Sequence, residues 1–139
     1  MLSSLYCIYL KFDLFAKVSA IDNDYNFANV GDWRCTSDTK KSKFNPKYQP
    51  SFIINLGDLS YKMSPDCWFE IVDPIDENMK ITIGNHDVLN LKLLKQYMDH
   101  FGLNKQCYSF DYNNIHFVAM STKKSYLPGS EKYKFVTKD

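Results

Sequence analysis

The chain has 139 residues, enough for one domain around one hydrophobic core. Apolar residues make up 45% and aromatic residues 16%, which supports a packed interior and argues against a disordered chain. Seventeen basic residues nearly balance sixteen acidic ones, so neither sign is in the excess that would favour nucleic acid or an anionic membrane as the main partner.

In chain order, the first twenty residues hold an apolar run, Leu5-Tyr-Cys-Ile-Tyr-Leu10, broken by Lys11 and Asp13. Val18-Ser-Ala20 fits a small-residue cleavage site, but no basic residue precedes the run. Residues 1–20 therefore have two readings, a degraded signal peptide that would send the protein to the cell surface or outside, and an N-terminal extension forming a strand or short helix. No stretch is long enough to span a bilayer. Residues 21–139 read as the remaining domain. Four cysteines, Cys7, Cys35, Cys67 and Cys107, are spaced too widely for a structural zinc site. Buried thiols are the favoured expectation, with disulfides as the alternative in an exported protein.

The next segments carry one pattern three times, a strand-like apolar run, then Gly, then Asp or Asn. The instances are residues 26–30 before Gly31-Asp32, residues 52–56 before Gly57-Asp58, and residues 79–83 before Gly84-Asn85. The polar stretch from Thr36 to Pro50, broken by Asn45-Pro46, allows only a short helix. Ser64-Pro65 predicts a helix start ahead of Asp66–Val72, with Ser64 as cap and Pro65 in the first turn. Leu91, Leu94, Tyr97, Met98 and Phe101 keep helical spacing between an Asn90 cap and Gly102. Residues 107–112 and 115–120 read as strands joined by an Asn113-Asn114 turn. The lysine-rich end from Lys123 to Asp139 reads as a solvated surface connection.

Strands alternating with helices predict an α/β sheet, whose ligands gather beyond the C-terminal ends of the strands. Asp32, Asp58 and Asn85 each fall at such an end, and the preceding glycine allows a sharp turn. Convergent Asp and Asn oxygens suit hard cations, and two such ions can clamp a phosphate and activate water. One such block would be ordinary turn chemistry; three in order, each after a strand-like run, are not. Trp33 and Trp68 adjoin apolar segments and read as packing residues.

Gly31-Asp32-Trp33, Gly57-Asp-Leu-Ser-Tyr61 and Gly84-Asn-His-Asp87 resemble the first three signature blocks of the calcineurin-like metallophosphoesterases. Tyr61 makes the second block similar to that of the purple acid phosphatases, and the segment through Ser109–Tyr112 resembles short archaeal members. The resemblance implies an α/β metallophosphoesterase-type β-sandwich flanked by helices, and a phosphoric ester hydrolase acting on a small phosphate monoester. It implies two metal ions, Fe(III) with Fe(II), Zn or Mn. Asp32 and Tyr61 would bind the first ion, Asp58 would bridge, and Asn85 would bind the second. His86 would contact the phosphate and help protonate the leaving alcohol, with Asp87 orienting it. Arg34 stands where the wider superfamily usually has His, a departure that purple acid phosphatases share, and it could face phosphate or solvent. The family's later His loop and Gly-His-x-His block have no counterpart before Asp139, so a domain incomplete at its C-terminus is expected. His100 and His116 are expected to lie away from the metals. Two rival readings stand beside the phosphomonoesterase, a nucleotide phosphodiesterase of the same superfamily and a non-catalytic fragment.

Overall fold

A computed structural model of the chain describes residues 9–11, 26–41 and 50–139. Cys7, the Val18-Ser-Ala20 motif and Asn45-Pro46 lie outside the described residues. The elements are β1 (Tyr9–Lys11), β2 (Phe27–Val30), α1 (Ser37–Lys41), β3 (Phe52–Asn55), α2 (Asp66–Val72), β4 (Met79–Ile81), α3 (Leu91–His100), β5 (Tyr108–Tyr112), β6 (Ile115–Ala119) and α4 (Glu131–Lys138).

The strands form two sheets. One is parallel, in the order β2-β3-β4, with Ile53 opposite Ala28 on one side and Met79 on the other. The other is antiparallel, in the order β1-β6-β5. The central strand β3 explains the layering. Its four residues, Phe52, Ile53, Ile54 and Asn55, are all buried, as expected of a strand covered on both faces. Phe52 and Ile54 face the second sheet, where Phe117 of β6 completes a buried cluster fringed by Phe27 and Phe110. The Phe52 ring meets Phe117 edge-on at 5.4 Å and Phe110 edge-on at 5.9 Å. Ile53 points the other way, into a larger core with Leu59, Trp68, Val72, Met79, Ile81, Leu93 and Tyr97. The result is the expected α/β sandwich, with α2 and α3 covering the parallel sheet.

The ends of α3 follow their sequence signals, but its buried face includes Leu93, which the predicted spacing passes over, while Leu91 is exposed. The Asn90 side chain accepts the Leu93 N–H at 2.8 Å, and Gly102 leaves the helix at φ +62°. Leu93 and Tyr97, four residues apart, are the buried pair. The hairpin also matches, because Asn113 takes φ +53° between β5 and β6. Trp33 and Trp68 do pack, edge to face at 6.3 Å.

Three further expectations are corrected. Pro65, not Ser64, is the N-cap of α2; its carbonyl accepts the N–H of Trp68 (2.8 Å) and of Phe69 (3.0 Å). The lysine-rich end contains a helix, α4, because Ser130 caps it by accepting the Tyr133 N–H. Cys35 and Cys67 are not thiols but form a disulfide, with Cα atoms 6.0 Å apart. The Trp33–Trp68 contact brings their chain neighbours together. Cys107 is a free, half-buried thiol.

Candidate metal centre

Because β2, β3 and β4 run parallel, the loops carrying Asp32, Asp58 and Asn85 leave the sheet at the same edge. The first two loops stay paired beyond the strands, since the Asp32 N–H donates to the Gly57 carbonyl (3.3 Å) and the Arg34 N–H to the Leu59 carbonyl (2.8 Å). The second and third touch even more closely. A Cβ on Gly57 would lie 2.7 Å from the Gly84 nitrogen, and one on Gly84 would lie 2.2 Å from Asp58 Oδ1. No side chain fits at either place. The Asn55 side chain, fully buried at the end of β3, sets up this approach by accepting the Gly57 N–H at 3.1 Å.

Beyond the glycines, the backbone turns into the left-handed region at Asp32 (φ +53°), Arg34 (+64°), Asp58 (+55°) and Tyr61 (+57°). These are four of the five non-glycine residues with positive φ among the described residues, the fifth being Asn113 in its hairpin turn. Each costs roughly 1–2 kcal/mol relative to an ordinary conformation. Strain concentrated in two adjoining loops is a mark of a functional site.

The side chains meet there. The Tyr61 hydroxyl donates to Asp32 Oδ1 and lies 3.4 Å from Asp58 Oδ2. Asp58 is 4% exposed, and its other oxygen accepts the His86 N–H at 2.9 Å. The His86 ring lies against the Tyr61 ring, with centroids 4.2 Å apart. Arg34 covers Tyr61 as well, its guanidinium carbon 4.6 Å from the ring centroid. Asn85 sits half-buried in the third loop, and its side chain makes no hydrogen bond among the described residues. Asp32, Asp58, Tyr61 and His86 are thus in one cluster, and Asn85 is one residue from it.

Burial, then the hydrogen bond to Asp32 and the charges of Asp58 and Asp32, push the Tyr61 hydroxyl up to about 12, with Arg34 acting in the opposite sense. A cation among these three oxygens would reverse the sign of that field and favour the phenolate. The donor set, two carboxylates and a phenol with a nearby amide, fits a hard cation.

Asp87 has a different place from the one expected beside His86. It is fully buried, and its carboxylate accepts three backbone N–H groups: Asp58 (2.9 Å), Leu59 (2.9 Å) and Gly84 (2.8 Å). Burial pushes its carboxyl above the usual range, against the pull of those three donors. Asp87 is therefore a clamp between the second and third loops. Ser60 adds a link that the sequence did not suggest, since the Tyr97 hydroxyl of α3 donates to its Oγ at 2.6 Å. The helical spacing that places Tyr97 on the buried face was the available signal.

The other histidines are accounted for by carboxylates. His116 uses both ring nitrogens, Nδ1 with Asp111 (2.6 Å) and Nε2 with Asp139 (2.7 Å). His100 Nε2 is 3.0 Å from Asp76 and 3.6 Å from Asp73, and one atom of each of the three lies within 4.8 Å of the others. That second group could also hold a cation. It lies where α2 and α3 end and ahead of β4, whereas the strand-end loops precede α2 and α3.

The family model described as calcineurin-like phosphoesterase matches residues 24–137, which includes all three loops. No curated protein and no solved structure matches the chain. With that match over most of the chain, on an α/β sandwich whose parallel strands gather its carboxylates at one edge, the chain belongs to the calcineurin-like phosphoesterase family of metal-dependent phosphoester hydrolases.

Proposed function

We infer that the protein is a phosphomonoesterase of the purple acid phosphatase type. The observation that carries this reading is the Tyr61 hydroxyl set between the carboxylates of Asp32 and Asp58. Asp32 and Tyr61 would hold one ion, Asp58 would reach both, and Asn85 would hold the second. A phenolate in the donor set favours ferric iron at the first position, with Fe(II), Zn or Mn at the second. The ions would supply a clamp on the phosphate oxygens and an activated water. His86, fixed through its backbone N–H on Asp58 and its ring against Tyr61, would contact the phosphate and give a proton to the leaving alcohol. Asp87 would keep the Asp58 and His86 loops in register. The substrate would be a small phosphate ester. An oxidising compartment is supported by the Cys35–Cys67 disulfide, which suits a secreted or cell-surface protein.

The test is optical and kinetic. Protein loaded with iron should show a visible charge-transfer band from a phenolate on ferric iron, and Tyr61→Phe should remove the band while keeping the ring's packing. Any turnover should favour aryl phosphate monoesters over diesters. A colourless iron-loaded protein, or a band that survives Tyr61→Phe, would make Tyr61 a packing residue and favour the nucleotide phosphodiesterase reading.

A further inference from the structure

We propose that Arg34 is a substrate-binding residue that grips the phosphate group at the rim of the metal centre. This rests on the reading of Asp32, Asp58 and Tyr61 as metal ligands, and it assigns to the same site a contact that the metals do not provide.

The backbone gives the first reason. Arg34 takes φ +64°, a conformation that favours glycine and is unfavourable for a residue with a Cβ. Its N–H holds the loop to the Leu59 carbonyl at 2.8 Å, a bond that glycine would make equally well. The turn therefore needs the backbone of this residue, not an arginine side chain. The side chain must be explained separately.

Its placement gives the second reason. The guanidinium carbon is 4.6 Å from the centre of the Tyr61 ring, and the His86 ring centre is 4.2 Å from the same point, so the two groups are at most 8.8 Å apart. A tetrahedral oxyanion with a hydrogen bond of about 2.8 Å on each side spans a gap of about 8 Å. That separation is within the reach of one phosphate at the edge of the Tyr61 ring, against which both groups lie. Arg34 is exposed, and it forms no ion pair among the described residues although Asp32 is two residues away. The guanidinium lies over the Tyr61 ring and beside its hydroxyl, which restrains its position at the rim of the site. A planar fork of donors matches the oxygens of a phosphate, and a restrained group loses less freedom on binding. A positive group there also offsets the negative charge of two carboxylates that would otherwise repel an anionic substrate.

The test separates metal uptake, folding and oxyanion binding. Wild-type chain, Arg34→Gly and Arg34→Lys are loaded with iron and zinc, metal content is measured, thermal melts are recorded, and inorganic phosphate is titrated in by calorimetry. Arg34→Gly should take up metal as the wild type does and melt at the same temperature or higher, because glycine suits the left-handed turn. Its phosphate affinity should fall about tenfold to a hundredfold, the range for losing a hydrogen bond to a charged group. Arg34→Lys should retain the charge and lie between the two. Wild-type affinity in metal-loaded Arg34→Gly overturns the proposal and leaves Arg34 as a cap on the Tyr61 ring. A metal-loaded wild type that binds no phosphate overturns it as well. A wild type that takes up no metal overturns the reading of the site and this inference with it.

Discussion

Replacing Asp87 with alanine separates two roles that the same residue could play. Its carboxylate accepts the N–H groups of Asp58, Leu59 and Gly84 at 2.8–2.9 Å, all of them buried. A buried donor left without a partner costs about 1–3 kcal/mol. The three share one carboxylate, loop relaxation reduces the sum, and alanine relieves the desolvation that burial imposes on Asp87. A net loss of about 2–4 kcal/mol is expected. For a domain whose total stability is about 5–15 kcal/mol, that is a large fraction. At roughly 4 °C per kcal/mol for this size, the melting temperature should fall by roughly 8–16 °C. Asp87→Asn should fall in between, because its carbonyl can take two of the bonds while its NH2 group faces a donor. Thermal melts and amide exchange at Asp58, Leu59 and Gly84 measure both effects. An Asp87→Ala protein that melts like the wild type, keeps those three amides protected and loses only turnover would refute the clamp. It would restore Asp87 as the group that orients His86.

Two further outcomes follow from the geometry. Gly84→Ala would place a methyl group 2.2 Å from Asp58 Oδ1 and 2.6 Å from its backbone nitrogen, so Asp58 must move and metal content per chain should drop sharply. His116 is raised above its ordinary value, first by its hydrogen bond to Asp139 and then by that to Asp111. A raised histidine adds stability that is complete below the unfolded value of about 6.5 and is lost as pH rises through the folded value. Melts from about pH 6 to about pH 8.5 should show this decline in the wild type and a flatter profile in His116→Asn, whereas parallel profiles would show that the ion pairs contribute nothing.

The legible parts of the molecule were those written in local chemistry. Gly57 and Gly84 are read from sequence because the turn and the close approach exclude side chains, and the strand β3 because Phe52-Ile-Ile54 is an apolar run. Asn90, Gly102 and Asn113 each act within a few residues of themselves, so the α3 boundaries and the hairpin could be placed. What stayed hidden depends on partners far along the chain. Asp87 turned inward because the Asp58 loop, nearly thirty residues earlier, presents two N–H groups to it. The Cys35–Cys67 pair spans 32 residues, with no spacing rule to select it from the three complete pairings. α4 was obscured because its lysines suggested a solvated connection, although Ser130 is an ordinary N-cap.

On the proposed function, the cation is held by the strand-end loops rather than by the Asp73, Asp76 and His100 group. Anomalous diffraction from crystals grown with iron or manganese tests it most directly, because it locates the metal without requiring turnover. A peak is expected within coordination distance of Asp32, Tyr61 and Asp58 oxygens, and it should be lost in Asp58→Asn. A peak only between Asp73, Asp76 and His100, with none at the strand-end loops, would contradict it.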